Sequence, residues 1–130
     1  MARKPGLGKC MLKLMLIEDD PTMVSLLTTL LNLEGITVQA PSNHQIAGLL
    51  STMNEEHPQV ALVDVNLSIG SGLDLVREIR QHPGISDVRI LMFSGLDRKR
   101  ECLQAGADGF IQKPFMPDEL LKLIHNSIQQ

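Results

Sequence analysis

Apolar positions along the chain follow two rhythms. Residues 12–17, 60–63 and 88–93 are short runs, apolar at nearly every position and rich in Leu, Ile and Val. Runs of this kind predict parallel strands covered on both faces, because a strand alternates only where one face meets water. Ile36-Thr37-Val38-Gln39-Ala40 does alternate and predicts a strand at the sheet edge, and residues 110–112 predict a fifth, shorter strand. Between these runs apolar residues recur at helical spacing: Met23, Val24, Leu27, Leu30 and Leu31, then Ile46, Leu49, Leu50 and Met53, then Leu73, Val76 and Ile79. A short helix is predicted over residues 97–105, and Leu120, Leu121, Ile124 and Ile128 form the stripe of a last one.

The punctuation agrees with the rhythm. Asp20 followed by Pro21 starts a helix, a carboxylate that caps free amides before a ring already fixed at helical φ. Gly35 stops that helix, Ser42 is the expected cap of the second, and the second ends before Pro58. His82-Pro83-Gly84 closes the third, Gly106 stops the fourth, and Pro117, Asp118 and Glu119 open the fifth. Five strand-then-helix repeats with short loops require right-handed crossovers and a parallel sheet with helices on both faces. The expected fold class is therefore α/β, a three-layer sandwich. One domain over residues 12–129 fits a chain of 130 residues, with residues 1–11, containing Pro5, Gly6 and Gly8, read as a flexible leader.

Composition removes several function classes. A net charge of −3 leaves no basic footprint for nucleic acid or anionic membrane. Cys10 and Cys102 make neither a CxxC pair nor a zinc set, so a reduced, cytoplasmic setting is expected. Arg3, Lys4 and Lys9 ahead of MLKLMLI imitate a signal peptide, but Lys13 interrupts the run and acids replace the small-residue cleavage site. No Walker loop or dinucleotide fingerprint is present, and His44, His57, His82 and His125 read as surface or loop residues.

Chemistry gathers at one rim. Glu18 and Asp19 follow the first strand, Asp64 the third, Ser94 the fourth and Lys113 the fifth. In an open parallel sheet the C-terminal strand ends are where residues distant in sequence converge around a ligand. Carboxylates there repel by about 4 kcal/mol per pair at 4 Å and an effective dielectric near 20. A hard divalent cation with oxygen ligands, Mg²⁺ above all, offsets that repulsion. A metal, an ammonium and a hydroxyl around one carboxylate suit phosphoryl transfer, with Asp64 as the nucleophile that forms an acyl phosphate.

At LMLIEDDP, DVNLSIGSG, MFSG and AGADGFIQKPF the sequence resembles the receiver domain of two-component response regulators. The resemblance implies a flavodoxin-like, CheY-like fold with five helices and strand order 2-1-3-4-5. It further implies Mg²⁺ held by Glu18, directly or through a water, by Asp19 and Asp64, and by the backbone carbonyl of Asn66. Asp64 would accept phosphate from a sensor histidine kinase or histidine phosphotransfer protein, Lys113 and Ser94 would bond phosphoryl oxygens, and Phe110 would follow Ser94 as the aromatic of a switch. Lys113-Pro114 is similar to the family's cis peptide. Such a domain catalyses its own phosphorylation and dephosphorylation and signals to a downstream protein as a monomer or weak dimer. Two features depart from the family: Ser68 stands where proline is common, and the interval from Ser94 to Gly106 is short by about one helical turn. The rival expectations are a pseudo-receiver that binds without phosphorylation, the receiver piece of a longer regulator, and, last, a small α/β enzyme or flavin carrier.

Overall fold

Strand and helix alternate in the order the two rhythms require, in a computed structural model that describes residues 12–42, 44–68 and 70–129. The expected leader, residues 1–11, lies outside the described residues. The elements are β1 (Lys13–Ile17), α1 (Pro21–Leu33), β2 (Thr37–Gln39), α2 (Ile46–Glu56), β3 (Val60–Asp64), β4 (Asn66–Leu67), β5 (Gly70–Ser71), α3 (Gly72–Gln81), β6 (Arg89–Ser94), α4 (Lys99–Ala105), β7 (Gly109–Gln112) and α5 (Pro117–Ile128). The main sheet runs β2-β1-β3-β6-β7, parallel throughout. With the two-residue strands β4 and β5 set aside, this is the 2-1-3-4-5 order. β2, the alternating strand, lies at one edge.

Each sheet face has its own core. Leu14, Leu16, Val60, Leu62, Leu91 and Phe93 pack against Leu27 and Leu31 of α1 and Leu120 and Ile124 of α5. The opposite side chains, Met15, Ile17, Ala61, Val63, Ile90 and Met92, meet residues of α2, α3 and α4 such as Leu49, Val76, Ile79 and Cys102. Continuous apolar runs are thus explained, since successive residues of β1, β3 and β6 serve different cores and neither face is wet. Cys102 is packing, and burial pushes its thiol up to about 11.

Helix starts follow local hydrogen bonding more than composition. Asp20 caps α1 through a 3.0 Å bond from the Thr22 amide. Ser42 does not cap α2. The cap residue is Gln45, whose side chain makes no capping bond, and His44 just before it is turned inward. α4 begins at Lys99 and not at Asp97, whose carboxylate accepts from the Lys99 amide at 3.3 Å and stays outside the helix. The loop expected after β3 contains a two-residue hairpin, β4 against β5, and Ser71 then caps α3 by accepting from the Leu73 amide at 3.0 Å. Among the described residues no helix is long and apolar enough to cross a membrane.

Candidate functional site

The site is built from strand ends. β1 delivers Glu18 and Asp19, β3 ends on Asp64, β6 ends on Ser94, and Lys113 follows β7. The parallel register brings Ile17 beside Val63 and Asp64 beside Phe93, so the acids after β1 and β3 share one rim. Lys113 closes it: its backbone N–H donates to the Ser94 carbonyl at 2.8 Å, and the Lys113-Pro114 peptide is cis.

Glu18 and Asp64 are both 5% exposed and face one cation. Lys113 Nζ lies 3.5 Å from Glu18 Oε1 and 3.5 Å from Asp64 Oδ2. It also sits 4.9 Å above the ring centroid of Phe93, which lends further electrostatic support. Asp64 Oδ1 accepts from the Asn66 amide at 3.0 Å and Glu18 Oε2 from the Asp20 amide at 3.0 Å. Glu18 Oε1 is different. It is buried and, among the described residues, has no hydrogen-bond partner. Burial raises the Glu18 carboxyl above its ordinary value of 4.5, the negative charge of Asp64 adds to that, and the Asp20 amide and Lys113 only partly counter it.

Asp19 is held apart from this pair. Its Oδ1 lies 2.6 Å from His44 Nδ1, and its Oδ2 accepts from the Ser68 amide. Burial pushes the Asp19 carboxyl up, but the Ser68 amide and His44 outweigh it and leave the group below its ordinary value of 3.8. Among the described residues, no three His, Cys, Asp or Glu side chains are so arranged that they could hold a metal ion. The structure therefore brings Glu18, Asp64 and Lys113 together and leaves Asp19 beside them, tied to two loops.

Whether the residues suit a divalent cation can still be judged from their chemistry. A buried carboxylate oxygen with no hydrogen-bond partner, next to a second buried carboxylate, is the donor that a hard cation lacks in a protein interior. The residues fit. The expected holders are Glu18, Asp19, Asp64 and the Asn66 carbonyl, and Asp19 would have to reorient to join the others.

Ser94 is fully buried, and its Oγ accepts from the Leu96 amide at 3.2 Å. Phe110, one strand over, is partly buried and packs on the core that contains Met92, its partner in register. His44 corrects the sequence reading: it is a loop residue but 7% exposed, and both ring nitrogens face oxygens, Asp19 Oδ1 and, at 2.9 Å, the Pro41 carbonyl. Sequence reasoning missed it because a lone histidine in a polar loop carries no spacing signal. Strand order would have found it, since β2 lies next to β1 and its loop must pass the β1 acids.

A family model described as the response regulator receiver domain matches residues 14–125. The chain belongs to that family. It is 37% identical over 114 residues to a transcriptional regulatory protein CpxR homolog of Haemophilus influenzae, covering 88% of this chain and 49% of that one. It is 36% identical over 110 residues to the two-component response regulator PhoP of Pseudomonas aeruginosa, covering 84% of this chain and 48% of the relative. The chain thus spans about half the length of these curated relatives. Among solved structures, the receiver domain of a Pseudomonas aeruginosa sensor histidine kinase, with magnesium coordinated in its active site cleft, superposes with a TM-score of 0.82 at 25% identity and covers 92% of this chain and 99% of its own. A chemotaxis response regulator of Vibrio cholerae shares the fold at a TM-score of 0.80 and 24% identity, covering 90% and 98%.

Proposed function

We propose that this receiver domain accepts phosphate on Asp64 in a Mg²⁺-dependent relay and uses the acyl phosphate to switch a protein-binding surface. The observation that carries the reading is the buried pair Glu18 and Asp64 converging on Lys113 Nζ at 3.5 Å, with Glu18 Oε1 lacking a hydrogen-bond partner. An Asp64 oxygen attacks phosphorus of a phosphohistidine, the P–N bond breaks, and the imidazole of the donor leaves with the electron pair. Lys113 Nζ, half-buried over Phe93, meets the negative charge delivered by the phosphoryl group without having to be reorganised. Bound Mg²⁺ supplies neutralisation of charge on the carboxylates and phosphoryl oxygens. Among the described residues Ser94 Oγ accepts from the Leu96 amide and gives its own proton to no partner, so it can donate to a phosphoryl oxygen, and Phe110 follows into the space it leaves.

The donor is a sensor histidine kinase or histidine phosphotransfer protein. An apolar cavity of about 380 Å³, lined by Met23, Leu26, Leu30, Pro114 and Phe115 together with Lys113, offers a helix of the donor a landing face beside the lysine that pairs with Asp64. Leu26, 62% exposed, is the side chain such a helix would cover. The test is Mg²⁺ plus beryllofluoride, which imitates an acyl phosphate. Wild type should gain melting temperature and shift the amide resonances of residues 94–96 and 110, and Asp64→Asn should do neither. A wild type indifferent to both reagents would instead support a receiver that binds partners without phosphorylation.

A further inference from the structure

We propose that His44 is a latch on Asp19, holding this carboxylate off the cation position so that loading of the acidic pocket requires the loop between β2 and α2 to release it. The inference rests on the reading of Asp19 as a cation ligand. It begins from the full commitment of the carboxylate: Oδ1 to His44 Nδ1 at 2.6 Å and Oδ2 to the Ser68 amide. These donors come from two loops that flank β1, one after β2 and one after β3. Mg²⁺ demands oxygen at about 2.0–2.1 Å in near-octahedral geometry, and among the described residues no three acids are so placed, so Asp19 in this pose does not join Glu18 and Asp64 around one ion.

One of the two donors has to yield, and the geometry points to His44. Ser68 lies two residues from Asn66, in the turn whose carbonyl is the expected additional ligand, so its amide can travel with the carboxylate. The imidazole cannot. It is 7% exposed, and its ring nitrogens face two acceptors, Asp19 Oδ1 and, at 2.9 Å, the Pro41 carbonyl, which only a ring carrying hydrogen on both nitrogens bonds at once. A cavity of about 340 Å³ lined by Glu18, Asp19, Val24, Pro41, Ser42 and His44 gives Asp19 and the loop room to part. Parting leaves a buried ring nitrogen without its partner, and an unmade buried hydrogen bond lowers the affinity of whatever breaks it. His44 is thus a positioning residue: it touches no phosphate, and it makes cation binding and loop conformation one linked equilibrium.

Magnesium titrations of the purified chain, by calorimetry and by amide and imidazole NMR, test this without phosphorylation. His44→Phe keeps a ring in the buried site but has no donor, and should bind Mg²⁺ about tenfold more tightly than wild type. His44→Asn, whose amide sits near the Nδ1 position, should restore affinity to within about threefold of wild type, a reversal that mere loosening of the loop would not give. In wild type, saturation with Mg²⁺ should displace the His44 ring resonances, a readout that stands even if a variant fails to fold. Unchanged or weaker Mg²⁺ binding by His44→Phe, with binding lost in Asp19→Asn, would overturn the latch and leave the acidic pocket intact. His44 ring resonances that stay in place at saturating Mg²⁺ would overturn it equally. If neither wild type nor His44→Phe binds Mg²⁺, the reading of the pocket itself fails and the latch with it.

Discussion

Two adjacent acids, Glu18 and Asp19, are pushed in opposite directions by their surroundings, and this has a consequence for stability. Glu18 is raised above 4.5, chiefly by burial, so without metal the folded chain holds its proton more firmly than the unfolded chain does. Stability then rises as pH falls from neutrality through the raised value, and the gain is complete near the unfolded value. Asp19 is lowered below 3.8 because the Ser68 amide and His44 outweigh burial, and its contribution is present above that value and lost beneath it. The metal-free protein should therefore melt higher near pH 5 than at pH 7.5 and lower again below about 3.8, as followed by circular dichroism. Saturating Mg²⁺ should flatten the upper part of that profile. A melting temperature that falls steadily from pH 7.5 downward would mean that Glu18 is not held as an unsatisfied buried acid.

At the scale of elements, the turn from β3 into α3 fixes where Asp64 sits. Gly72 is the first residue of α3, and its amide donates to the Val65 carbonyl at 2.6 Å. A Cβ built on Gly72 would stand 2.2 Å from the Asp64 carbonyl oxygen, which is backbone and cannot swing aside. Gly72→Ala should destabilise by about 1–3 kcal/mol, as overpacking does, and should blunt the beryllofluoride response by moving Asp64. Gly95→Ala is the control, because no atom of the described residues lies within 4 Å of its Cβ position. Urea unfolding of the two variants separates them, and equal midpoints would refute the argument. This turn also marks what could be read from sequence. Asp64 was legible, since an apolar run that stops on an acid names a strand end. The strand order followed from the resemblance, whereas the gathering of Glu18, Ser94 and Lys113 on the rim of Asp64 was read from the strand ends of a parallel sheet. The close approach of Gly72 to Asp64 and the inward turn of His44 were not legible, because both depend on tertiary contact between segments that local spacing does not relate. The late start of α4 had a local cause, since Asp97 is a good cap residue by type but accepts from the Lys99 amide and stays outside the helix, and the cap of α2 is Gln45 in place of Ser42.

Across the whole molecule, one side chain ties the β6 half of the sheet to the helices on its face. Arg80, in the last turn of α3, donates from Nε to the Gly106 carbonyl at 2.8 Å and from Nη1 to the carbonyls of Ser86 at 2.9 Å and Val88 at 2.6 Å. Its Nη2 meets Asp108 Oδ2 at 2.8 Å, and that oxygen also accepts from the Ile90 amide at 2.8 Å. Three segments therefore share one guanidinium: the approach to β6, the end of α4 and the approach to β7. The approaches to β6 and β7 lead to Ser94 and Lys113, so Arg80 supports the strands that carry the proposed phosphate contacts from their opposite ends. Arg80→Ala strips donors from three carbonyls and a partner from Asp108, and should lower stability by about 3 kcal/mol in urea unfolding. Arg80→Lys should recover only part, because one ammonium cannot span the fork of contacts. Arg98→Ala offers the contrast. Arg98 bonds Glu101 one turn along α4, a pair exposed enough that water and salt screen it, and its loss should leave the unfolding midpoint where it is. If Arg80→Ala also left the midpoint unchanged, the three segments would be held by the apolar core alone. If instead stability falls while Mg²⁺ affinity is kept, the two ends of the sheet are energetically separable, and the acidic rim can reorganise on loading without disturbing the clamp at the far end.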